Sequence, residues 1–191
     1  MNAMLKIAGR SYMNGVPVDD VKGLIDTVSR RPSAARTRWR VANTWRGRLR
    51  SSGQADVFEI GGKTARRALA IEVDAPLELG GTDNFASPQE HLLAALNACM
   101  TARFTALCAL QGVEIYRLEI ATEGEVDLRG ALGLDAAAPR GFGGLTTTVT
   151  VRGPAPAEAY RRIFDEVLAT SSTLFSLTQP VAVASELVVA A

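Results

Sequence analysis

The chain has 191 residues, of which 47% are hydrophobic and 21% charged, so it suits one globular domain with or without an appendage and is not generally disordered. Its net charge of +1 gives the whole molecule no electrostatic bias towards nucleic acid or anionic lipid. Two cysteines are too few for a disulfide scaffold and indicate a reducing compartment. One histidine and two separated cysteines show no metal-ligand spacing, and no phosphate-binding loop is present, so we expect neither metal nor cofactor.

The first 35 residues are predicted to form an appendage to a main domain spanning 36–191. Apolar residues between Val18 and Val28 recur at helical spacing, which predicts a short amphipathic helix. Pro32 and the small residues after it end this helix and form a linker. The segment 1–15 has no apolar run long enough for a signal peptide, so we expect a cytoplasmic protein.

From Arg38 to Leu49 follows an arginine-rich segment in which residue character alternates with a period of two. Its apolar residues occupy odd positions and its arginines even positions, which predicts a strand, or a hairpin bent near Gly47, with an apolar face on the core and a cationic face in solvent. The apolar residues are Trp39, Val41, Trp45 and Leu49. Since stacking rings and phosphate contacts must share a face, this alternation disfavours nucleic-acid binding.

The long central helix has the clearest start signal in the chain. Two strands, Asp56–Ile60 and Arg67–Val73, are predicted before it. Ser87-Pro88-Gln89-Glu90 is a capping box with proline at the first helical position, and the helix should run to Gln111 and stop at Gly112. Its apolar stretch approaches the length of a membrane span, but interrupting polar residues favour a buried core helix.

The remaining elements complete an α+β pattern. Strands are predicted at Tyr116–Glu123 and Leu145–Arg152, and a final strand at Val181–Val189. A helix after Pro156 carries an apolar stripe whose spacing brings Ser171 onto the same face at the helix end. Strands, a long helix, strands, a helix and a strand indicate an α+β fold and not alternating βαβ units.

The two cysteines lie on the central helix and cannot bridge each other. Cys99 and Cys108 are nine residues apart, which is roughly 13 Å of rise and roughly 900° of rotation, so they point to opposite sides. A disulfide needs Cα atoms within about 7 Å. On spacing alone, each cysteine is typical of a small buried hydrophobic residue.

Three segments together resemble the OsmC/Ohr family (osmotically inducible protein C, organic hydroperoxide resistance). They are SPQEHLLAALNAC at 87–99, EGEVDLRG at 123–130, and 171–183 with its LTQPV run. The resemblance implies an intertwined homodimer with antiparallel sheets around a long central helix. In the family's peroxidases a thiolate attacks an organic hydroperoxide, a second cysteine forms a disulfide with the resulting sulfenic acid, and a dithiol reduces it. Cys99 occupies the position of the attacking thiol.

The chain departs from this peroxidase pattern at two positions. Ser171 stands where the second cysteine is expected, so no internal disulfide can resolve a sulfenic acid. The acidic partner ten residues before the thiol is Gln89 here, whereas Glu90 lies nine before, as in a branch of OsmC-like proteins. Glu90 is therefore a candidate site residue and equally the acid of the capping box. An activating cation could come from the arginines at 46, 48 or 50, and the sequence does not choose among them.

Two functions from different classes follow from this resemblance, and whether the chain is an enzyme stays open. One is a single-cysteine thiol peroxidase acting on a small organic hydroperoxide with an external thiol reductant; its site residues would be Cys99 and Glu90. The other is a non-catalytic protein that binds a small apolar ligand. Nucleic-acid binding through the arginine-rich strand ranks third and is disfavoured, and no membrane partner is expected.

Overall fold

The amino-terminal region is a small antiparallel sheet followed by a helix. The computed structural model describes the backbone of residues 5–7 and all of residues 9–190. The elements are β1 (Leu5–Ile7), β2 (Arg10–Met13), β3 (Val16–Pro17) and α1 (Val18–Arg30), and the helix confirms the sequence prediction. The division of the chain at residue 35 stays a prediction.

This region packs on the far end of the central helix. Met13 and Val18 are buried together with Ala109 in a small apolar cluster. The Asn14 side chain donates to the Val113 carbonyl (2.8 Å) and accepts from the Ile115 N–H (2.9 Å). These contacts tie residues 10–18 to the helix end, about 100 positions away along the chain.

A four-stranded antiparallel sheet follows, with β6 at its centre. Its strands are β4 (Thr37–Trp39), β5 (Ala42–Trp45), β6 (Ser51–Ile60) and β7 (Lys63–Val73). Both β4 and β5 pair with β6, as does β7. The predicted bend near Gly47 is confirmed, because Gly47 and Arg48 have φ of 89° and 49° in the turn after β5.

The expectation that the tryptophan face covers the core is wrong within the chain. Trp39 and Trp45 are 60% and 73% exposed, and Val41 and Leu49 are exposed as well. The reason is that β4–β7 has no extensive contact with the rest of the described chain that could cover this face. Trp39 stacks on Phe58 with ring centroids 5.3 Å apart, and the Arg67 guanidinium lies over both rings, so aromatic and cationic groups share a face here.

The main core lies where two helices cover a two-stranded sheet. These elements are α2 (Pro88–Leu110), β8 (Arg117–Val126), β9 (Phe142–Arg152) and α4 (Ala157–Thr170), and β8 pairs with β9 antiparallel. A short helix α3 (Leu128–Ala131) lies in the predicted loop between the strands, and α5 (Ser172–Thr178) follows α4. The buried residues are Leu96, Met100, Phe104, Leu107, Cys108, Tyr160, Ile163 and Val167.

The central helix α2 is buried mainly along its second half. The capping box is confirmed, with Ser87 and Glu90 bonding reciprocally at the helix start. Within the described residues, α2 alone has the length and hydropathy to cross a membrane, and about a third of that window is buried. The expectation of a core helix therefore holds from Leu96 onward, whereas Leu92 is 40% exposed.

The predicted last strand at Val181–Val189 is wrong for the single chain. No strand is formed between Gln179 and the last described residue. The apolar side chains of this segment are exposed, with Leu187 at 87%. A strand needs a neighbouring edge to take up its backbone N–H and C=O groups, and no described strand of the same chain pairs with this segment.

Candidate functional site

The thiol of Cys99 lies where α2 meets the junction of α4 and α5. Its Sγ is 3.4 Å from the Oγ of Ser171 and 3.7 Å from the Oγ of Ser172. Ser171 ends α4 and caps α5, where its Oγ accepts a hydrogen bond from the Leu174 N–H. The bond from Leu174 uses a lone pair of that Oγ, and the hydroxyl hydrogen is still available to donate to the sulfur.

These neighbours favour the ionised form of Cys99. Partial burial raises the pKa of the thiol, but hydrogen bonds from Ser171, from the hydroxyl and N–H of Thr173, and from Ser172 outweigh it and lower the pKa to about 7. Hydrogen bonds to a charged acceptor are stronger than those to a neutral one, which is why donors shift this equilibrium. About half of the molecules would then carry a thiolate near neutral pH.

The second cysteine on the same helix is in the opposite environment. Cys108 is 0% exposed and belongs to the main core. Burial raises the pKa of its thiol to about 12. Both thiols are free, as the helix spacing predicted, and only Cys99 combines access with a lowered pKa.

Glu90 is engaged at the start of α2 and not with Cys99 of the same chain. Its Oε2 accepts from the N–H and the hydroxyl of Ser87, both at 2.7 Å. These two bonds lower the pKa of the carboxyl, and His91 adds a smaller effect in the same direction. Nine residues of helix separate Glu90 from Cys99, roughly 13 Å along the axis and on the opposite side.

The three arginines considered from the sequence lie in the turn between β5 and β6. Arg48 donates from Nη2 to the Gly80 carbonyl (3.1 Å), and the Arg50 guanidinium lies 5.1 Å from the centre of the Phe85 ring. The turn is thus held against the loop 74–87 that leads into α2. Within the described residues, none of the contacts of these arginines reaches Cys99 of the same chain.

That loop is organised by one buried carboxylate. Asp74 accepts hydrogen bonds from the N–H groups of Ala75, Thr82 and Asn84 and from the Thr82 hydroxyl. Burial raises the pKa of this carboxyl, but the hydrogen bonds, that of the Thr82 hydroxyl foremost, hold it well below its usual range. Asp74 therefore fixes the connection between β7 and the start of α2.

One arginine that was not predicted as a site residue lies one turn from Cys99 on α2. Arg103 follows it by four residues on α2, and side chains at that spacing share a helix face. The Arg103 Nε donates to the Oγ1 of Thr170 at 2.8 Å. The i, i+4 spacing from the cysteine was the signal available in the sequence.

A mainly apolar cavity lies one helical turn from Cys99. It has a volume of about 490 Å³ and lies between α2, β9 and α5. Leu92, Leu96, Leu145, Leu174 and Leu177 contribute to its walls. Cys99 and the three hydroxyl residues around it are not among the lining residues, but Leu96 lies one turn before Cys99 and the Leu174 N–H donates to Ser171 Oγ. No group of three or more potential metal ligands occurs in the described part of the chain.

Comparison with protein-family models identifies most of the region just described. The model described as "OsmC-like protein" matches residues 81–186, which is more than half of the chain. The match includes α2, both helices at the thiol site and the β8–β9 sheet. Comparison with curated protein sequences gives no significant match.

Solved structures show the same fold at low sequence identity. An OsmC-like protein from Mycoplasma pneumoniae has a TM-score of 0.58 at 13% identity, covering 74% of this chain and 87% of its own. A protein from Psychrobacter arcticus, named for osmotic stress and detoxification, has 0.55 at 18%, covering 71% and 85%. An organic hydroperoxide resistance protein OsmC from Legionella pneumophila has 0.50 at 17%, covering 73% and 88%. These likenesses show the fold.

Proposed function

The chain belongs to the OsmC-like protein family, and on that premise we propose that it is a single-cysteine, thiol-dependent reductase of organic hydroperoxides. The observation that carries the proposal is the set of hydroxyl and N–H groups around Cys99, which favours a thiolate at neutral pH. A thiolate, and not a thiol, is the nucleophile in peroxide reduction. The family includes hydroperoxide resistance proteins.

The reaction proceeds in two stages. The Cys99 thiolate attacks the terminal oxygen of the hydroperoxide, an S–O bond forms as the O–O bond breaks, and the alkoxide takes a proton and leaves as an alcohol. An external thiol then attacks the sulfenic sulfur, releasing water and forming a mixed disulfide. A second thiol regenerates Cys99 and leaves with the first as a disulfide.

External reduction follows from what surrounds the sulfur. Ser171 stands at the position expected for a resolving cysteine and lies next to the sulfur. Its hydroxyl cannot form a disulfide. Cys108 is buried on the opposite side of α2. The organic group of the peroxide would occupy the apolar cavity beside α5, since five of the ten residues that line it are leucine.

A homodimer is part of this proposal. A second copy would cover the exposed side chains of Trp39, Val41, Trp45 and Leu49 and the exposed apolar tail at 181–189. The charges complement each other as well: residues 30–67 hold eleven basic and two acidic residues, whereas 68–191 hold seven basic and fifteen acidic. We assign the basic segment to subunit contact and not to nucleic acid, and retention on a polyanion column that falls with salt would contradict this assignment.

The catalytic proposal is tested by treating the protein with one equivalent of cumene hydroperoxide and following intact mass. We expect one added oxygen on Cys99, and multiple turnovers when dithiothreitol is supplied. Cys99→Ala should abolish both, while Cys108→Ala serves as the control that keeps them. Absence of a sulfenic acid on Cys99 would overturn the proposal.

A second candidate function uses the same cavity without chemistry. The serine at the position of a second cysteine and the leucine-lined space both suit a protein that holds a small apolar ligand. Native mass spectrometry of the purified protein distinguishes the two. A bound small molecule together with a Cys99 that resists peroxide would favour the binding protein.

A further inference from the structure

Arg103 connects the helix that carries Cys99 to the end of α4. Its Nε donates to Thr170 Oγ1 at 2.8 Å, and its Nη2 lies 3.5 Å from Glu166 Oε1. Thr170 in turn donates to the backbone carbonyl of Glu166, so its hydroxyl orientation is set from both sides. Arg103 therefore contacts the last turn of α4 through two side chains, those of Thr170 and Glu166.

The residue that Arg103 holds is the one directly before the thiol's hydrogen-bonding partners. Thr170 is the last residue of α4, and Ser171, Ser172 and Thr173 follow without a break. A shift of about 1 Å at this junction would take the 3.4 Å contact between Ser171 Oγ and Cys99 Sγ out of hydrogen-bonding range. The distance from α2 to this junction thus determines whether the thiolate is stabilised.

We propose that Arg103 is a positioning residue for the Cys99 thiolate, acting through Thr170 to hold the Ser171–Thr173 hydroxyl groups against the sulfur. The inference rests on the proposed function, because it concerns the same thiol. It gives Arg103 a role distinct from the activating cation sought among the arginines at 46, 48 and 50, because Arg103 acts through the hydroxyl groups and not directly on the sulfur.

The charge of Arg103 is a smaller part of this role than its geometry. Glu166 pairs with the guanidinium, so the two charges largely cancel at the distance of the thiol. Both side chains are partly exposed, with 36% and 42% of their surface accessible, and water screens what remains. Hydrogen bonds made at 3 to 4 Å by oriented hydroxyl groups are not screened in this way.

The test measures the pH dependence of iodoacetamide reaction at Cys99 by tandem mass spectrometry, in the full-length protein. Arg103→Gln removes the hydrogen bond from Nε to Thr170, and Thr170→Val removes the hydroxyl while keeping the side chain nearly the same shape. We expect each variant to raise the apparent thiol pKa by about one unit, which at pH 7 lowers the alkylation rate about five-fold. Thr170→Ser keeps the hydroxyl and should react like the wild type.

Two further variants separate positioning from charge and from general loosening of the helices. Arg103→Lys keeps the charge but loses the planar group whose Nε reaches Thr170, so it should behave like Arg103→Gln. Gln111→Ala removes the other side-chain link from α2 to Glu166, roughly 18 Å along the helix from Cys99, and should leave the thiol pKa unchanged. Thermal unfolding confirms that all variants are folded.

The outcomes distinguish this inference from the function on which it rests. A low wild-type thiol pKa that none of the Arg103 and Thr170 variants changes would overturn the inference alone. Full recovery in Arg103→Lys with no effect of Thr170→Val would overturn positioning in favour of charge. A wild-type thiol pKa near that of free cysteine would overturn both the inference and the proposed function.

Discussion

Two regions of the molecule differ in whether their apolar side chains are buried within the single chain. In the half formed by α2, α4, β8 and β9, side chains such as Phe104 and Ile163 are buried against each other within one chain. In the β4–β7 sheet, Trp39 and Trp45 stay in solvent although β4, β5 and β7 all pair with β6. A backbone can therefore pair into a sheet whose side chains still lack a core, because hydrogen bonding and burial are separate requirements.

The same contrast governs the two thiols. Cys108 is buried in the half that forms its own core, while Cys99 lies at the edge of that half, beside the α4–α5 junction. One helix thus carries a thiol whose pKa is lowered and, nine residues on, a thiol whose pKa is raised. The difference lies in what packs against each face of α2 and not in the helix itself.

Phe104→Ala should have the largest effect on stability. Phe104 is 1% exposed in the main core, and removing a buried aromatic ring costs about 3–5 kcal/mol. Urea unfolding of wild type and variant measures the difference. A loss below about 1 kcal/mol would mean that this half is not the core of the molecule.

Trp45→Ser tests whether the exposed sheet face is covered by a second copy. For an isolated chain, a residue 73% exposed should change the free energy of unfolding by less than about 0.5 kcal/mol. If a second copy buries it, we expect the dimer dissociation constant to rise at least about ten-fold, since buried tryptophans dominate interfaces. Sedimentation at several concentrations decides between the two, with the exposed Leu134→Ser as a control away from this face.

Ser87→Ala should have an intermediate effect, at the start of α2 between the two halves. The variant removes the cap hydroxyl that bonds the N–H of Glu90, which costs about 1 kcal/mol. Thermal or urea unfolding measures it. An effect on alkylation of Cys99 without a loss of stability would instead point to a role of this helix end in the thiol site.

The pH dependence of Asp74 gives an effect that is absent at neutral pH and appears only in acid. Its pKa in the folded protein lies below the value of about 3.9 expected in the unfolded chain, so the carboxylate stabilises the fold fully above that value. This contribution is lost as the pH falls through the folded pKa. Stability should thus decline less steeply below pH 4 in Asp74→Asn than in the wild type, and equal slopes would contradict the assignment.

Local sequence signals predicted the elements well because those elements depend on nearby residues. The capping box at Ser87 and Glu90, the amphipathic spacing of α1 and the glycine bend at Gly47 were all confirmed. The family and fold expectations are likewise borne out by the match over 81–186 and by the solved structures. Dimerisation, cytoplasmic location and the catalytic role of Cys99 and Glu90 stay predictions.

The burial and long-range contacts of side chains could not be predicted in the same way. Alternation from Arg38 to Leu49 predicted extended backbone, but it could not say that Trp39 and Trp45 lack a cover in their own chain or that Arg67 lies over the Trp39 ring. The run at Val181–Val189 has the composition of a strand, yet a strand exists only beside another edge. Arg103 was missed because its partner Thr170 is 67 residues away.

By itself, the sequence determined where α1, α2 and α4 lie, roughly where β6 to β9 lie, and that Cys99 and Cys108 cannot bridge within the helix. It did not indicate β1–β3 or α5, and it was the family resemblance that placed Ser171 where a second cysteine is expected. Only the tertiary structure decided which thiol is activated, because the pKa of Cys99 depends on hydroxyl groups that α4 and α5 bring to within 4 Å of the sulfur from more than 70 positions away. Helical periodicity is a property of neighbouring residues, whereas the stabilisation of a charge is a property of everything that surrounds it.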